Sequence, residues 1–160
     1  MTKQKLLQCV IETLTQKIEG AKQSFETARR AAIEAPGAMQ SHSDTTKWQM
    51  SRRVEAIQGS ITETQQALNA LKSFMRSPPT VTKGSGYATI EVENLDDGSR
   101  VKYFLLPAGG GNTYEVDGEE ITVLNVGAPL ARAFIGSVAG DEIEVKIQEA
   151  TRRFSVVSVT

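Results

Sequence analysis

The residues best suited to chemistry lie in one polar stretch, residues 35–47, between two long apolar repeats. The stretch holds the carboxylate of Asp44 and the imidazole of His42, and Glu34 directly precedes it. Bound magnesium needs several charged oxygen ligands in fixed geometry, so one or two acids make a weak site. His42 has no second histidine at helical spacing, and Asp44 is well suited to capping a helix. We therefore expect no metal, no other cofactor and no catalytic residue, and we interpret Asp44 as a helix cap.

Positive charge gathers on both sides of this stretch. The basic side chains concerned are Arg29, Arg30, Lys47, Arg52 and Arg53. Clustered basic groups attract phosphate, so the chemistry they suggest is contact with a nucleic-acid backbone. The alternative is an ordinary solvated helix face.

Trp48 is the only tryptophan of the chain and lies in the same basic region. An indole ring can stack on a nucleobase or on a loop of a partner. It can equally pack against Ala32 or Met39 and close the end of the element that carries it. The sequence leaves these two roles open.

Two apolar repeats flank the polar stretch, and each advances by four and three residues in turn. The first consists of Leu7, Ile11, Leu14, Ile18, Ala21, Phe25, Ala28 and Ala32. The second consists of Met50, Val54, Ile57, Ile61, Thr64, Leu68, Leu71 and Met75. This spacing is typical of a coiled-coil seam, and equal repeats around a short connection predict an antiparallel hairpin. We predict that residues 1–77 form this hairpin, a projecting arm of about 40 Å with residues 35–47 at its tip.

Helix ends and a linker are marked in the sequence as well. Pro36 disfavours helical geometry in the residue before it, so the first helix should end near Glu34. The residues able to cap the second helix are Ser41, Ser43 and Asp44. Pro78 and Pro79 should end that helix and begin a linker over residues 78–85.

Composition limits the class of protein. With 160 residues, 39% hydrophobic and 23% charged, the chain can form a small core and a solvated arm. A single cysteine, Cys9, excludes an intrachain disulfide, so we expect a reducing, cytoplasmic setting. No apolar run of signal-peptide or membrane-spanning length follows Lys3 and Lys5, and we expect no membrane contact. Basic residues outnumber acidic ones by 11 to 7 before Pro78, and acidic residues lead by 12 to 7 after it, so the arm is the basic half.

From Thr80 the apolar period changes from heptad to alternation, which predicts β-strands. Strands are expected over residues 87–93, 100–106, 120–125 and 142–147, with a last strand around Phe154, Val156 and Val159. Pro129 suits the first position of a short helix through residue 135, and Gly136 suits its end. Loop 108–112 contains three glycines without the lysine of a phosphate-binding loop, so we interpret it as a surface loop. Residues 86–160 are therefore predicted to form a small α+β domain.

One segment of this domain resembles a known family. Residues 120–136, Glu-Ile-Thr-Val-Leu-Asn-Val-Gly-Ala-Pro-Leu-Ala-Arg-Ala-Phe-Ile-Gly, and the Gly-Asp-Glu-Ile-Glu-Val that begins at residue 140 resemble the C-terminal signature of bacterial Gre transcript-cleavage factors. Two departures are Ala128, where that family usually has serine, and residues 148–153, where it usually has a proline and glycine turn. The order of a helical hairpin and an α+β domain also matches, so the resemblance covers nearly the whole chain.

The resemblance implies an FKBP-like fold for the C-terminal domain and a role in transcription. Such factors bind RNA polymerase, with the C-terminal domain at the rim of the secondary channel and the coiled coil inside it. The matching docking residues are Gly127, Ala128, Pro129 and Arg132. The arm would approach nascent RNA, and the protein would be a monomeric regulator rather than an enzyme, because the polymerase itself hydrolyses the RNA.

The tip departs from the pattern of the cleaving members, whose acidic tip residues help hold a catalytic magnesium ion. Matching residues 48–61 to the second helix of the family sets neutral residues where acids are common. These are Gln40, Ser43 and Thr46. The groups left to contact the metal or the active centre are Asp44, Glu34, His42 and Trp48. We therefore predict a Gre-like regulator with weak or absent stimulation of transcript cleavage.

Two other classes of function stay open. The FKBP-like fold suggests a peptidyl-prolyl isomerase, but this suggestion rests on similarity of fold alone. Its proline pocket would have to come from the aromatic residues Tyr87, Tyr103, Phe104, Tyr114, Phe134 and Phe154. The hairpin by itself would suit a coiled-coil adaptor with no link to transcription.

Overall fold

The computed structural model describes residues 2–34 and 41–160, without the side chains of residues 32, 34 and 41–47. Two long helices come first, α1 (Thr2–Glu34) and α2 (Ser41–Arg76). A six-stranded sheet with one short helix follows. Its elements are β1 (Thr89–Asn94), β2 (Arg100–Leu106), β3 (Thr113–Val116), β4 (Glu119–Asn125), α3 (Pro129–Phe134), β5 (Glu142–Ile147) and β6 (Ala150–Val159). The predicted α+β class, two long helices followed by a small sheet domain, is confirmed.

The chain divides into two compact units. The sheet unit comprises Met1–Ile11 together with Asn69–Thr160, and the hairpin unit comprises Glu12–Leu68. The start of α1 and the end of α2 thus belong to the same unit as the sheet. The domain limits given above and the FKBP-like character of the sheet domain stay predictions.

Burial in the hairpin unit follows the predicted heptad seam. On α1, Leu14 and Ile18 are buried, and on α2 Leu68 is buried. The α2 seam positions from residue 50 to residue 64 are half-buried. Apolar side chains at this spacing fall on one stripe of each helix, which is the stripe a coiled coil buries. None of the helices in the described part of the chain is long and apolar enough to cross a membrane.

The residue at which α2 begins contradicts the interpretation of Asp44 as a helix cap. The helix begins at Ser41, so Asp44 is its fourth residue and the N-cap interpretation is wrong. Several capping residue types follow one another here, and local sequence does not decide which of them stands at the boundary. A carboxylate near a helix start is still favoured, because the free amide groups give that end a partial positive charge.

The sheet has the strand order β3-β4-β2-β1-β6-β5. β2 and β4 run parallel, and the other neighbouring strands run antiparallel. In the β5–β6 hairpin Ile147 pairs with Ala150, so residues 148–149 make a two-residue turn. Gln148 takes a φ of 57° there, the left-handed geometry that tight hairpin turns require.

Side chains cover both faces of the sheet because successive strand residues point to opposite sides. On one face Tyr103 stacks on Phe134 of α3, with ring centroids 5.7 Å apart. On the other face Tyr87 contacts Phe104 of β2 at 5.5 Å and Phe74 of α2 at 5.4 Å. The buried residues of the α3 face are Ala88, Ile90, Val92, Leu105, Ala131, Phe134, Val145, Phe154 and Val156.

Three features were not expected from the sequence. β1 begins at Thr89 rather than at residue 87, because Tyr87 has a φ of 76° and cannot continue a strand. The short strand β3 pairs with β4 and was not predicted. Leu6 and Val10 are buried although they lie outside the predicted seam.

Candidate functional site

The tip residues singled out from the sequence lie largely outside the described part of the chain. This applies to Gln40 and to the side chains of Glu34, His42, Ser43, Asp44, Thr46 and Lys47. Their chemistry therefore rests on residue type, with two acids among neutral and basic neighbours. Where side chains are described, no three Asp, Glu, His or Cys residues gather into a metal-binding group.

The basic part of the hairpin carries a paired aromatic and cationic group. Trp48 precedes Arg52 by one helical turn on α2, and the guanidinium carbon of Arg52 lies 4.5 Å from the centroid of the indole ring. This is a cation–π contact, which the i, i+4 spacing of a helix permits. Trp48 remains 60% exposed, so most of its surface faces solvent.

The arginines on the two helices lie close to one another along the hairpin. Arg53 of α2 lines a groove with Ala28 and Ala31 of α1. Arg29 and Arg30 lie between those two alanines in the chain and are exposed, as are Arg52 and Arg53. Four exposed arginines thus occupy one level of the hairpin. Such a concentration of positive charge favours a polyanionic ligand.

A second candidate surface is formed by α3. The helix buries Ala131 and Phe134 against the sheet and leaves Pro129 and Arg132 exposed. Pro129 begins the helix without cost, because the first helical position has no intrahelical partner for an amide group. Ala128 enters it in extended geometry, with φ −69° and ψ 145°, and without a side-chain cap.

Asn125 fixes the turn that leads into α3. Its Oδ1 accepts a hydrogen bond from the Gly127 amide at 2.8 Å, and its carbonyl oxygen accepts one from the Ala128 amide at 2.9 Å. The Ala128 carbonyl then accepts the amide of Arg132 at 2.9 Å. The structure therefore brings Gly127, Ala128, Pro129 and Arg132 together around one turn.

Two apolar side chains at the end of α3 extend this surface and were missed from the sequence. Ile135 is 46% exposed and Val138 is 45% exposed. Gly136 and the buried Ser137 lie between them, and Ser137 Oγ donates to the Phe134 carbonyl at 2.7 Å. The interruption of the helix at Gly136 was the available signal that residue 135 leaves the buried face. We call Pro129, Arg132, Ile135 and Val138 the α3 patch.

A cleft of about 240 Å³ in the sheet unit lies beside the start of α1. Its charged lining residues are Lys3, Glu91, Lys102 and Glu119. Lys102 Nζ pairs with Glu119 at 2.6 Å, and Lys3 Nζ donates to the Tyr87 carbonyl at 3.2 Å. Partial burial lowers the pKa of Lys3. The Lys3 contact fastens the start of α1 to the sheet unit, and the Lys102–Glu119 pair joins β2 to β4, so both have a structural role.

The sheet unit matches a protein-family model. Residues 81–160, half of the chain, match the model described as transcription elongation factor, GreA/GreB, C-term. The matched segment includes all six strands, α3 and the α3 patch. The class of protein is therefore a transcription elongation factor.

Similar proteins carry the same family name. Transcription elongation factor GreA of Polaromonas naphthalenivorans (strain CJ2) is 27% identical over 154 residues, which cover 90% of this chain and 91% of that protein. GreA of Cereibacter sphaeroides is 48% identical over 52 residues, 29% of this chain and 34% of that protein. Among solved structures, GreA factor homolog 1 (Gfh1) of Thermus thermophilus has a TM-score of 0.38 and 14% identity over 94% of each chain. The chain belongs to the GreA/GreB family, and the resemblance seen in its signature is confirmed.

Proposed function

We propose that the protein regulates transcription elongation by binding RNA polymerase at the secondary channel. Its membership of the GreA/GreB family carries this proposal. In the proposed complex the sheet unit docks at the rim of the channel through the α3 patch, and the hairpin enters the channel toward the nascent RNA. The protein acts as a monomer and leaves the chemistry to the polymerase.

The composition of the α3 patch supports the docking part of this proposal. It combines an exposed arginine with two exposed aliphatic side chains, Ile135 and Val138. Arginine is enriched at interfaces, and the fully buried centre of an interface is more apolar than the rest of a protein surface. The helix beneath the patch is held rigidly, because Phe134 is fully buried and contacts Tyr103 and Phe154. A rigid patch loses little conformational entropy when it binds.

The docking test is retention of core RNA polymerase by the immobilised protein. Arg132→Glu should weaken retention about ten-fold or more, as expected for a central interface arginine. Arg153→Glu is the matched control, because it makes the same charge change at another exposed arginine of the sheet unit. If folded Arg132→Glu retains polymerase as well as the parent protein, the docking surface lies elsewhere.

We further propose that stimulation of transcript cleavage is weak or absent. At the positions where the family commonly has acidic residues, this chain has three neutral ones, Gln40, Ser43 and Thr46. Lys47 and the arginines Arg52 and Arg53 add positive charge, which opposes recruitment of a divalent cation. Asp44 and Glu34 are the acids left near the tip in the sequence. Occupation of the channel is then the main action of the protein.

A transcript-cleavage assay on backtracked complexes tests this second proposal. The wild type should add little to the cleavage rate of polymerase alone, and Asp44→Asn should leave its effect on polymerase unchanged. Glu55→Gln, which neutralises an exposed acid farther along α2, is the control for loss of one negative charge. Strong cleavage by the wild type that Asp44→Asn abolishes without weakening binding would identify Asp44 as a metal-holding carboxylate.

The arrangement of the aromatic rings argues against the isomerase alternative. Phe134 contacts Tyr103 and Phe154 on one face of the sheet, and Tyr87 contacts Phe104 on the other. Four of these five rings are buried, all but Tyr103. They fill the core from both sides instead of lining one proline-sized pocket.

The polymerase-retention assay at low salt distinguishes the proposed function from the adaptor alternative, since an adaptor without a link to transcription would retain no polymerase.

A further inference from the structure

We propose that Trp48 and Arg52 form a stacking platform for an unpaired base of single-stranded RNA. The inference deepens the proposed function, on which it rests for the presence of RNA beside the hairpin. Trp48 and Arg52 lie outside residues 81–160, the part of the chain that matches the family model. The inference gives these two side chains a ligand class. All the residues concerned belong to the hairpin unit.

The geometry of the pair suits a flat ligand. The Arg52 guanidinium lies over the indole at 4.5 Å from its centroid and so limits the movement of the ring. The indole nevertheless remains 60% exposed, which leaves a large flat surface for a second planar group. Every nucleobase has a π-face, so stacking on tryptophan binds single strands with little dependence on sequence.

The charge around the pair suits the backbone that would carry the base. Arg53 lies beside Ala28 and Ala31 of α1, and Arg29 and Arg30 are exposed on that same part of α1. Together with Arg52 and Lys47 they make five basic residues between positions 26 and 55, against four acids, Glu26, Glu34, Asp44 and Glu55. An excess of positive charge next to an aromatic ring is the arrangement that binds single-stranded nucleic acid through phosphate and base at once.

Exposed apolar side chains of the hairpin unit fall in this basic part. Among its described residues the large hydrophobic side chains that stay exposed are Ile33, at 72%, and Trp48, at 60%. The coiled-coil seam accounts for neither of them, because both lie off the heptad positions. Both side chains are therefore accessible to a ligand from solution.

Fluorescence of the full-length protein tests the platform directly, because Trp48 is the sole tryptophan. Titration at low salt with a single-stranded oligoadenylate of about ten nucleotides should quench the indole emission to saturation. Inorganic polyphosphate of similar charge should bind without that quenching, because it has no bases. Absence of quenching by the oligoadenylate, or equal quenching by polyphosphate, would overturn the proposal.

Variants separate the base contact from the phosphate contact, with affinity measured by anisotropy of a labelled oligoadenylate. Trp48→Ala should weaken binding about ten-fold, and Trp48→Phe should lose less. Arg52→Gln should lower the salt slope of log affinity by about one, whereas Arg76→Gln, an exposed arginine of the sheet unit, should leave it unchanged. Circular dichroism checks that each variant keeps its helices. A folded Trp48→Ala protein that binds as tightly as the wild type would refute the platform.

The two proposals fail in distinguishable ways, because the oligonucleotide assay contains no polymerase. Retention of polymerase without quenching of Trp48 overturns the platform and leaves the proposed function standing. Quenching without retention of polymerase supports the platform and overturns the proposed function.

Discussion

The sheet unit buries its apolar side chains more completely than the hairpin unit does. In the sheet unit Ile90, Phe104 and Phe134 are 0% exposed, whereas the α2 seam from residue 50 to residue 64 is only half-buried. The cause is geometric, since a sheet is covered on two faces and a two-helix seam has one narrow interface. Substitutions that change volume should therefore matter most in the sheet unit.

The family relation and the proposed activity depend on different units of the molecule. The family model matches residues 81–160, which lie in the sheet unit, where packing restricts the residue types allowed. The hairpin unit contains Trp48, Asp44 and the arginines at positions 29, 30, 52 and 53. Most described side chains of this unit are exposed, so many residue types there are compatible with the fold. A GreA/GreB protein can therefore keep its fold while the chemistry of its hairpin changes.

The largest expected loss of stability is predicted for one of two phenylalanines, one taken from each unit. Phe134→Ala should lower the free energy of unfolding by about 3–5 kcal/mol, because the ring is fully buried and contacts two other rings. Phe25→Ala removes the same group from a half-buried position of the hairpin and should cost clearly less. Urea denaturation followed by circular dichroism measures both. Equal losses would remove the contrast between the two units.

The next effect tests the seam itself. Ile18 is 5% exposed, and its replacement by Ala should cost about 2–4 kcal/mol. Ile61→Ala should cost less, because Ile61 is half-buried on the opposite helix. Thermal melting of the two variants gives the order. No drop in melting temperature for either variant would exclude the seam as the source of hairpin stability.

A glycine beside α3 should give a smaller loss. A Cβ atom on Gly84 would lie 1.9 Å from the carbonyl oxygen of Phe134, so Gly84→Ala forces the backbone apart and should cost about 1–3 kcal/mol. Gly86→Ala is the matched control, because its nearest neighbour, Cδ of Pro107, lies at an ordinary 3.8 Å. Chemical denaturation should separate the pair. If both tolerate alanine equally, the contact at Gly84 is not a close one.

The smallest effect concerns the ion pair between α1 and the β3–β4 turn, both in the sheet unit. The hydrogen bond from Lys5 Nζ, at 2.5 Å, holds the pKa of Asp117 below its usual value. A folded pKa below the unfolded one stabilises the protein above the unfolded value of about 3.9, and this stabilisation disappears as the pH falls through the folded pKa.

Asp117→Asn should therefore lower the melting temperature slightly at pH 7 and not at all near pH 2, where wild type and variant should converge. The effect is small because both partners are largely exposed. Asp96→Asn, at an exposed turn acid between β1 and β2, is the control. A difference from wild type that persists at pH 2 would mean that Asp117 acts through packing rather than charge.

Much of the fold could be predicted because its signals are local. The heptads gave both helices, and alternation with turn residues gave β2 and β5 at their observed limits. β3 could not be found in this way, since its four residues include a single buried one, Val116, and depend on pairing with β4. Leu6 and Val10 belong to the same compact unit as the sheet, whose strands lie far along the chain. They widen the apolar stripe beside Leu7, and that was the only local sign of a second packing partner.

The candidate site was predictable where a turn defines it. The α3 turn follows from Pro129 and Gly136, whose backbone requirements are specific. The exposure of Ile135 and Val138 was not predictable, because it depends on how the chain leaves the helix. The contact of Trp48 with Arg52 could have been found from their i, i+4 spacing alone, given the helix.

The division of the sheet unit between two distant stretches has a consequence for synthesis on the ribosome. Lys3 binds the carbonyl of a residue 84 positions later, and Lys5 pairs with one 112 positions later. The hairpin seam joins helices that follow each other directly, so it can form while the sheet is still being made. Contacts that close large loops form more slowly. The start of α1 is therefore translated well before its native partners, and it can make these contacts only after they have been synthesised.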